Sequence, residues 1–155
     1  MKTLARLAVP LALLVGVVSL ASAQTATNIE LTRAHIQKAR QTIIADSMAL
    51  TEAESLGFWP AYRDYRVDMA RLGDRLVKVI AEFVSSEAKP NDEQATRLLD
   101  EYLDIKAKEV AVKQKHVRVF RKLLPPAKVS KFFQLENKLD AIVNYELAAT
   151  IPLTR

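Results

Sequence analysis

Apolar positions along the chain fall into four stretches of helical period, separated by breaks. In the first, Ile29, Ile36, Ile43 and Leu50 recur at seven-residue spacing, and Asn28 stands where an N-cap is wanted. This predicts a helix over about 29–47. The second is stronger: Thr51 and Glu54 form a Thr-x-x-Glu capping box, and Tyr62, Tyr65, Met69, Leu72, Leu76, Val79 and Phe83 follow in steps of three and four. That unbroken seam predicts a helix over about 51–86 lying lengthwise on another. "EAKPN" is a connector, in which Pro90 stops what precedes and Asn91 with Gln94 resembles a second capping box. A third helix is expected over 92–123. It carries two stripes, Leu98/Ile105/Val112/Val119 and Leu103/Val110/Val117/Leu124, and so needs neighbours on two sides. Pro125 and Pro126 end it and open a fourth helix over about 126–148, with Phe132, Leu135, Leu139, Ile142 and Val143 inward.

These elements predict an all-α domain: a long antiparallel helical hairpin flanked by two shorter helices. Its thin shape buries little of its own surface, which points to a homodimer. One interruption stands out inside the second helix. In "LTEAESLGFWPAYRDY", Gly57 and Pro60 flank the only tryptophan, Trp59. Pro60 cannot donate to the carbonyl of Leu56, so a kink is expected there.

The residues before the first helix change the address rather than the fold. Lys2 and Arg6, the apolar run Leu7–Leu20 and "ASA" at 21–23 read as a cleaved secretory signal, with a domain over 24–155. The run is short for a membrane span. The chain has no cysteine, which excludes disulfides, thiolate chemistry and a lipid anchor on a cysteine after the cut. The expected compartment is a bacterial periplasm. Only 21 of the 23 basic residues lie beyond the leader, against all 18 acidic ones, so the charge is mildly basic, about +3.

That charge is concentrated. Between Lys106 and Lys131 the cations Lys106, Lys108, Lys113, Lys115, Arg118, Arg121, Lys122, Lys128 and Lys131 meet one acid, Glu109. Two readings stand side by side. One is a solvated helix face whose last cations favour the helix C-terminus. The other is a client-binding face built on Lys106, Lys113, Lys115, Arg118, Arg121 and Lys122, drawing in acidic, partly unfolded polypeptide or anionic lipid. A secreted chain is not expected to meet nucleic acid. Phe58, Trp59, Phe132 and Phe133 form an aromatic corner, read either as plugs of the bundle ends or as an apolar patch for a client.

Metal and catalytic signals are weak. His35 and His116 have neither a glutamate nor a second histidine three or four residues away, and no Gly-rich loop or nucleophile arrangement is present. No metal, cofactor or enzyme activity is expected.

The chain also echoes itself at an offset of 74: Leu50, Ala53 and Phe58 match Leu124, Ala127 and Phe132, and Trp59 faces Phe133. With its leader, its lack of cysteine and its two helix-opening motifs, it resembles the Spy/CpxP-like periplasmic proteins. Where those carry a Leu-Thr-x-x-Gln-like motif, this chain has "LTEAE" and "LPPAK", with Glu54 and Lys128 in place of glutamine. The resemblance implies an antiparallel dimer forming a curved cradle that either holds unfolded envelope proteins or docks on a membrane-bound signalling protein as a stress sensor.

Overall fold

The computed structural model describes residues 38–154, with the side chain of Thr150 left aside. The expected leader, the helix over 29–37 and His35 lie outside the described residues. The fold is all-α, and the described residues hold helices only: α1 (38–48), α2 (Glu52–Ser85), α3 (Asp92–Leu123) and α4 (Pro126–Thr150). Both expected capping boxes form. The Glu54 amide donates to Thr51 Oγ1 at 3.2 Å and the Thr51 amide to Glu54 Oε2 at 2.8 Å. Gln94 and Asn91 repeat the exchange at 2.8 and 3.2 Å, so each long helix starts with two of its orphan donors satisfied. Leu124 is extended and ends α3, after which the amides of Lys128 and Val129 donate to the Pro125 carbonyl and begin α4.

Helix α2 runs through Pro60 without a break. The ring is exposed and the neighbouring Leu56 is exposed too, so the helix meets solvent where the backbone hydrogen bond is missing. Gly57 has a different purpose: a Cβ there would stand 2.9 Å from Leu123 Cδ2, so glycine admits the last turn of α3 close to the first turns of α2. Between α2 and α3 the chain turns through Glu87 and Ala88, both left-handed without being glycine (φ 54° and 58°). Such residues cost about 1–2 kcal/mol each relative to a helical conformation.

The start of α2 pairs with the end of α3, and the end of α2 with its start. Gly57 meets Leu123; Asp68 meets Lys115 and His116; Arg75 meets Glu101 and Asp104; and Glu82 meets Arg97. Helix α4 crosses this pair, with Val129, Phe132 and Leu139 in the core. Helix α1 contributes Ile44 and Met48.

Some inward positions differ from the expected ones. In α1 the buried face is Arg40/Ile44/Met48, whereas Ile43 is exposed; the seven-residue pattern missed it because one member of the real face is an arginine. In α4, Ile142 is exposed and Glu136 takes its place inside. On α3, Leu98 and Ile105 are buried, but Val119 is exposed, as are Leu103 and Val110 in the middle of the second stripe.

Candidate functional site

The aromatic corner is a packed centre. Phe58, Tyr65, Phe120 and Phe132 are fully buried, while Trp59 and Phe133 lie half-buried at its edge. Phe132 touches Phe58 edge to face (5.3 Å between centroids, 88°), tilts on Phe120 (4.7 Å) and meets Phe133 (4.9 Å). Phe58 in turn meets Trp59 edge to face at 5.0 Å. These are the geometries the ring quadrupole favours, each contributing about 0.5–1.5 kcal/mol beyond area burial. The internal echo takes on physical meaning here, because matched positions touch. Phe58 packs on Phe132, and the Lys128 ammonium donates to Glu54 Oε2 at 2.5 Å and to the Ala49 carbonyl at 2.9 Å. The glutamate and lysine that stand in place of glutamine at the two helix-opening stretches are thus partners of one ion pair. Lys128, by its hydrogen bond and charge, holds the Glu54 carboxyl below the usual carboxylate range.

One turn further along α4 lies a junction that the sequence patterns did not reveal. Arg40 of α1 donates to Glu136 Oε2 (2.9 Å) and Asp140 Oδ1 (3.0 Å). Arg66 of α2 donates to the same Glu136 oxygen at 3.1 Å, and Lys113 of α3 to Asp140 Oδ2 at 2.8 Å. Every helix supplies a charge. Arg40 and Glu136 are buried, so these charges are held by each other rather than by water. Around them, burial and then the Glu136 charge push the Tyr62 hydroxyl up to about 12 and Tyr65 upward as well, so both stay neutral. Burial raises Asp140, but the Lys113 hydrogen bond and the Arg40 charge outweigh it and leave the carboxyl below its ordinary value. The readable signal for this junction was two acids four residues apart, Glu136 and Asp140, on the same face of α4 as Phe132 and Leu139.

The basic residues of α3 do not share one face. Lys106 pairs with Glu109 at 3.0 Å and lies over the Tyr102 ring. Lys113 belongs to the junction, and Lys115 reaches back to Asp68 at 2.8 Å. Lys106 and Lys115 point about 180° apart, since they are nine residues apart at about 100° each. Arg118, Arg121 and Lys122 are exposed and make no ion pair among the described residues.

Asp68 also accepts from the buried His116 Nε2 at 2.9 Å, and His116 and Lys115 hold its carboxyl below the ordinary 3.8. A depressed folded value stabilises above the unfolded one and is lost as pH falls through the folded one. Asp68→Asn is therefore expected to lower the urea midpoint at pH 6. The gap to the parent should close as the pH is taken well below 3.8 in a series of urea titrations. A gap that stays constant down to the acid limit would count against this pairing.

Away from the aromatic end, an apolar groove of about 560 Å³ opens between Leu76, Val79 and Phe83 of α2, Leu98 and Tyr102 of α3, and Leu147 of α4, with Lys106 at its rim. Among the described residues no group of three or more histidine, aspartate or glutamate side chains is placed to hold a metal ion. Nor is any helix there long and apolar enough to cross a membrane. Comparison with known protein families, with characterised proteins and with solved structures gives no match.

Proposed function

We propose that this chain is a secreted, non-catalytic holding protein of the periplasm, a homodimer built on the antiparallel α2–α3 hairpin. Its clients are acidic, partly unfolded envelope polypeptides. The observation that supports this best is the apolar groove: about 560 Å³ of space walled by aliphatic and aromatic side chains, in the size range of ligand sites. It has room for one or two large apolar side chains of a client. At the other end of α3 the exposed Arg118 and Lys122 raise the encounter rate with acidic chains. Capture is weak and salt-sensitive, because charge brings the client and apolar contact retains it.

The test is light scattering from reduced, aggregating α-lactalbumin, with this protein in several-fold excess. Scattering is expected to fall at low salt and to recover partly at raised salt. Tyr102→Glu with Leu147→Glu places two charges in the groove and should abolish protection at all salt concentrations. Arg118→Glu with Lys122→Glu should slow capture mainly at low salt. Unchanged scattering with the parent protein would sink the proposal.

A further inference from the structure

The groove has a direction. Its α2 wall runs from Leu76 to Phe83 and its α3 wall from Lys106 back to Ala95, and the pairing of Arg75 with Asp104 sets Leu76 beside the Lys106 end. Helix α4 follows the same line: Asp140 meets Lys113, so Asn144 lies toward Lys106, while Ile151 and Thr154 reach toward Ala95. Charge is therefore confined to one end. Lys106 stands there near Asn144, its ammonium 5.6 Å from the centre of the Tyr102 ring, whereas Phe83, Pro90 and Ala95 close the other end. Among the described residues no carboxylate lines the groove. Just beyond the rim, Glu109 accepts from the Lys106 ammonium through both oxygens, at 3.0 and 3.2 Å.

Length matters as much as polarity. Ala95 and Lys106 are eleven residues apart on one helix, about 16 Å at ~1.5 Å each. An extended hydrocarbon chain advances about 1.3 Å for each ~1.5 Å carbon–carbon bond, so roughly a dozen carbons span that distance. A polypeptide can lend such a trough only separate side chains, because its backbone amides need partners that these walls do not offer. A single acyl chain fills it from end to end and leaves no polar group to satisfy. We propose that the groove is also the site of a monoacyl phospholipid with a zwitterionic head, its chain between α2, α3 and α4 and its phosphate on Lys106. This inference rests on the groove reading above and gives the site a second ligand, which competes with the client. Lys106 offers the phosphate a charge-assisted hydrogen bond, and Glu109 accepts one from the ammonium of the head. A fatty-acid carboxylate would meet Glu109 with no cation of its own, so the Lys106–Glu109 pair selects a head that carries both signs.

The probe is N-phenyl-1-naphthylamine, a neutral dye that fluoresces in apolar sites. Lauroyl lysophosphatidylethanolamine, kept below its micellar concentration, should displace it from the secreted protein. Tyr102→Glu with Leu147→Glu should abolish both dye and lipid binding. Lys106→Met keeps the apolar stem, so it should weaken the lipid about tenfold and leave the dye unchanged. Glu109→Gln should weaken the same lipid several-fold but not lauroyl lysophosphatidylglycerol, whose head has no ammonium. Ala95→Phe shortens the far end and should weaken the lauroyl lipid while sparing its octanoyl counterpart. Displacement by lauric acid as strong as by the zwitterionic lipid, or lipid binding that survives the two glutamates, overturns the inference. So does an absence of displacement by any lipid while α-lactalbumin is still protected, which leaves the client groove in place. Lipid binding without protection overturns the holding function and leaves the lipid site standing. Neither lipid binding nor protection overturns both.

Discussion

Glu136→Ala is expected to remove about 3–5 kcal/mol of folding free energy, the cost of leaving buried charge without its partner. The junction explains the size. Glu136 and Asp140 together compensate Arg40, Arg66 and Lys113, so losing one acid leaves three cations facing a single carboxylate at the meeting point of four helices. Arg40→Met should act quite differently. It removes a cation from the side that has one in excess, and Glu136 retains Arg66 while Asp140 retains Lys113. Its cost should stay near 1 kcal/mol, and an apolar replacement for a buried ion can even be neutral. A domain of this size has only about 5–15 kcal/mol in total, so the first variant should be visibly frayed at room temperature and the second intact. Urea unfolding followed by circular dichroism at neutral pH decides it. Equal midpoints for the two variants would mean that the junction is wet and contributes little.

Phe132→Ala should be comparably severe, about 3–5 kcal/mol, because the ring is fully buried against Phe58, Phe120, Tyr65, Tyr62 and Phe133 and no surface side chain can fill the space. The half-buried Trp59 and Phe133 bound the same cluster, and alanine at either should cost clearly less. The comparison separates two accounts of the aromatic corner. A packed centre predicts this ranking in thermal and urea unfolding, with protection of clients unchanged in any variant that still folds. An apolar client patch predicts that Trp59→Ala, the milder lesion for stability, is the harsher one for protection.

The sequence carried the local signals well. The capping boxes at Thr51/Glu54 and Asn91/Gln94 and the Pro125–Pro126 break are decided within four residues, and all appear where the pattern put them. The bounds of α3 at Asp92 and Leu123 follow from them. What the pattern missed depends on distant partners. Arg40 and Glu136 are 96 residues apart, and although Glu136 shares a face with Phe132 and Leu139, nothing local says which cation it will meet. A helix face containing a compensated arginine looks polar, which is why Ile43 was favoured over Ile44. The basic run misled for a related reason. Consecutive cations look like one patch on paper, yet at about 100° per residue they spread around the helix and meet Glu109, Asp140 and Asp68 on different sides. The echo at offset 74 was visible, but that its two halves would touch at Phe58–Phe132 and Glu54–Lys128 required the fold.

The aromatic centre and the charged junction both lie toward the Gly57–Leu123 end of the α2–α3 pair. Toward the Ser85–Asp92 turn the buried side chains are few, chiefly Ile80, Ala88 and Leu98, and the turn itself holds two residues in a left-handed conformation. The molecule is therefore clamped at one end and lightly held at the other, like tongs with their pivot at the phenylalanines. Local opening of the free end would widen the groove while leaving the pivot closed, so the groove proposed to hold a shapeless client is also the part that can yield to its shape.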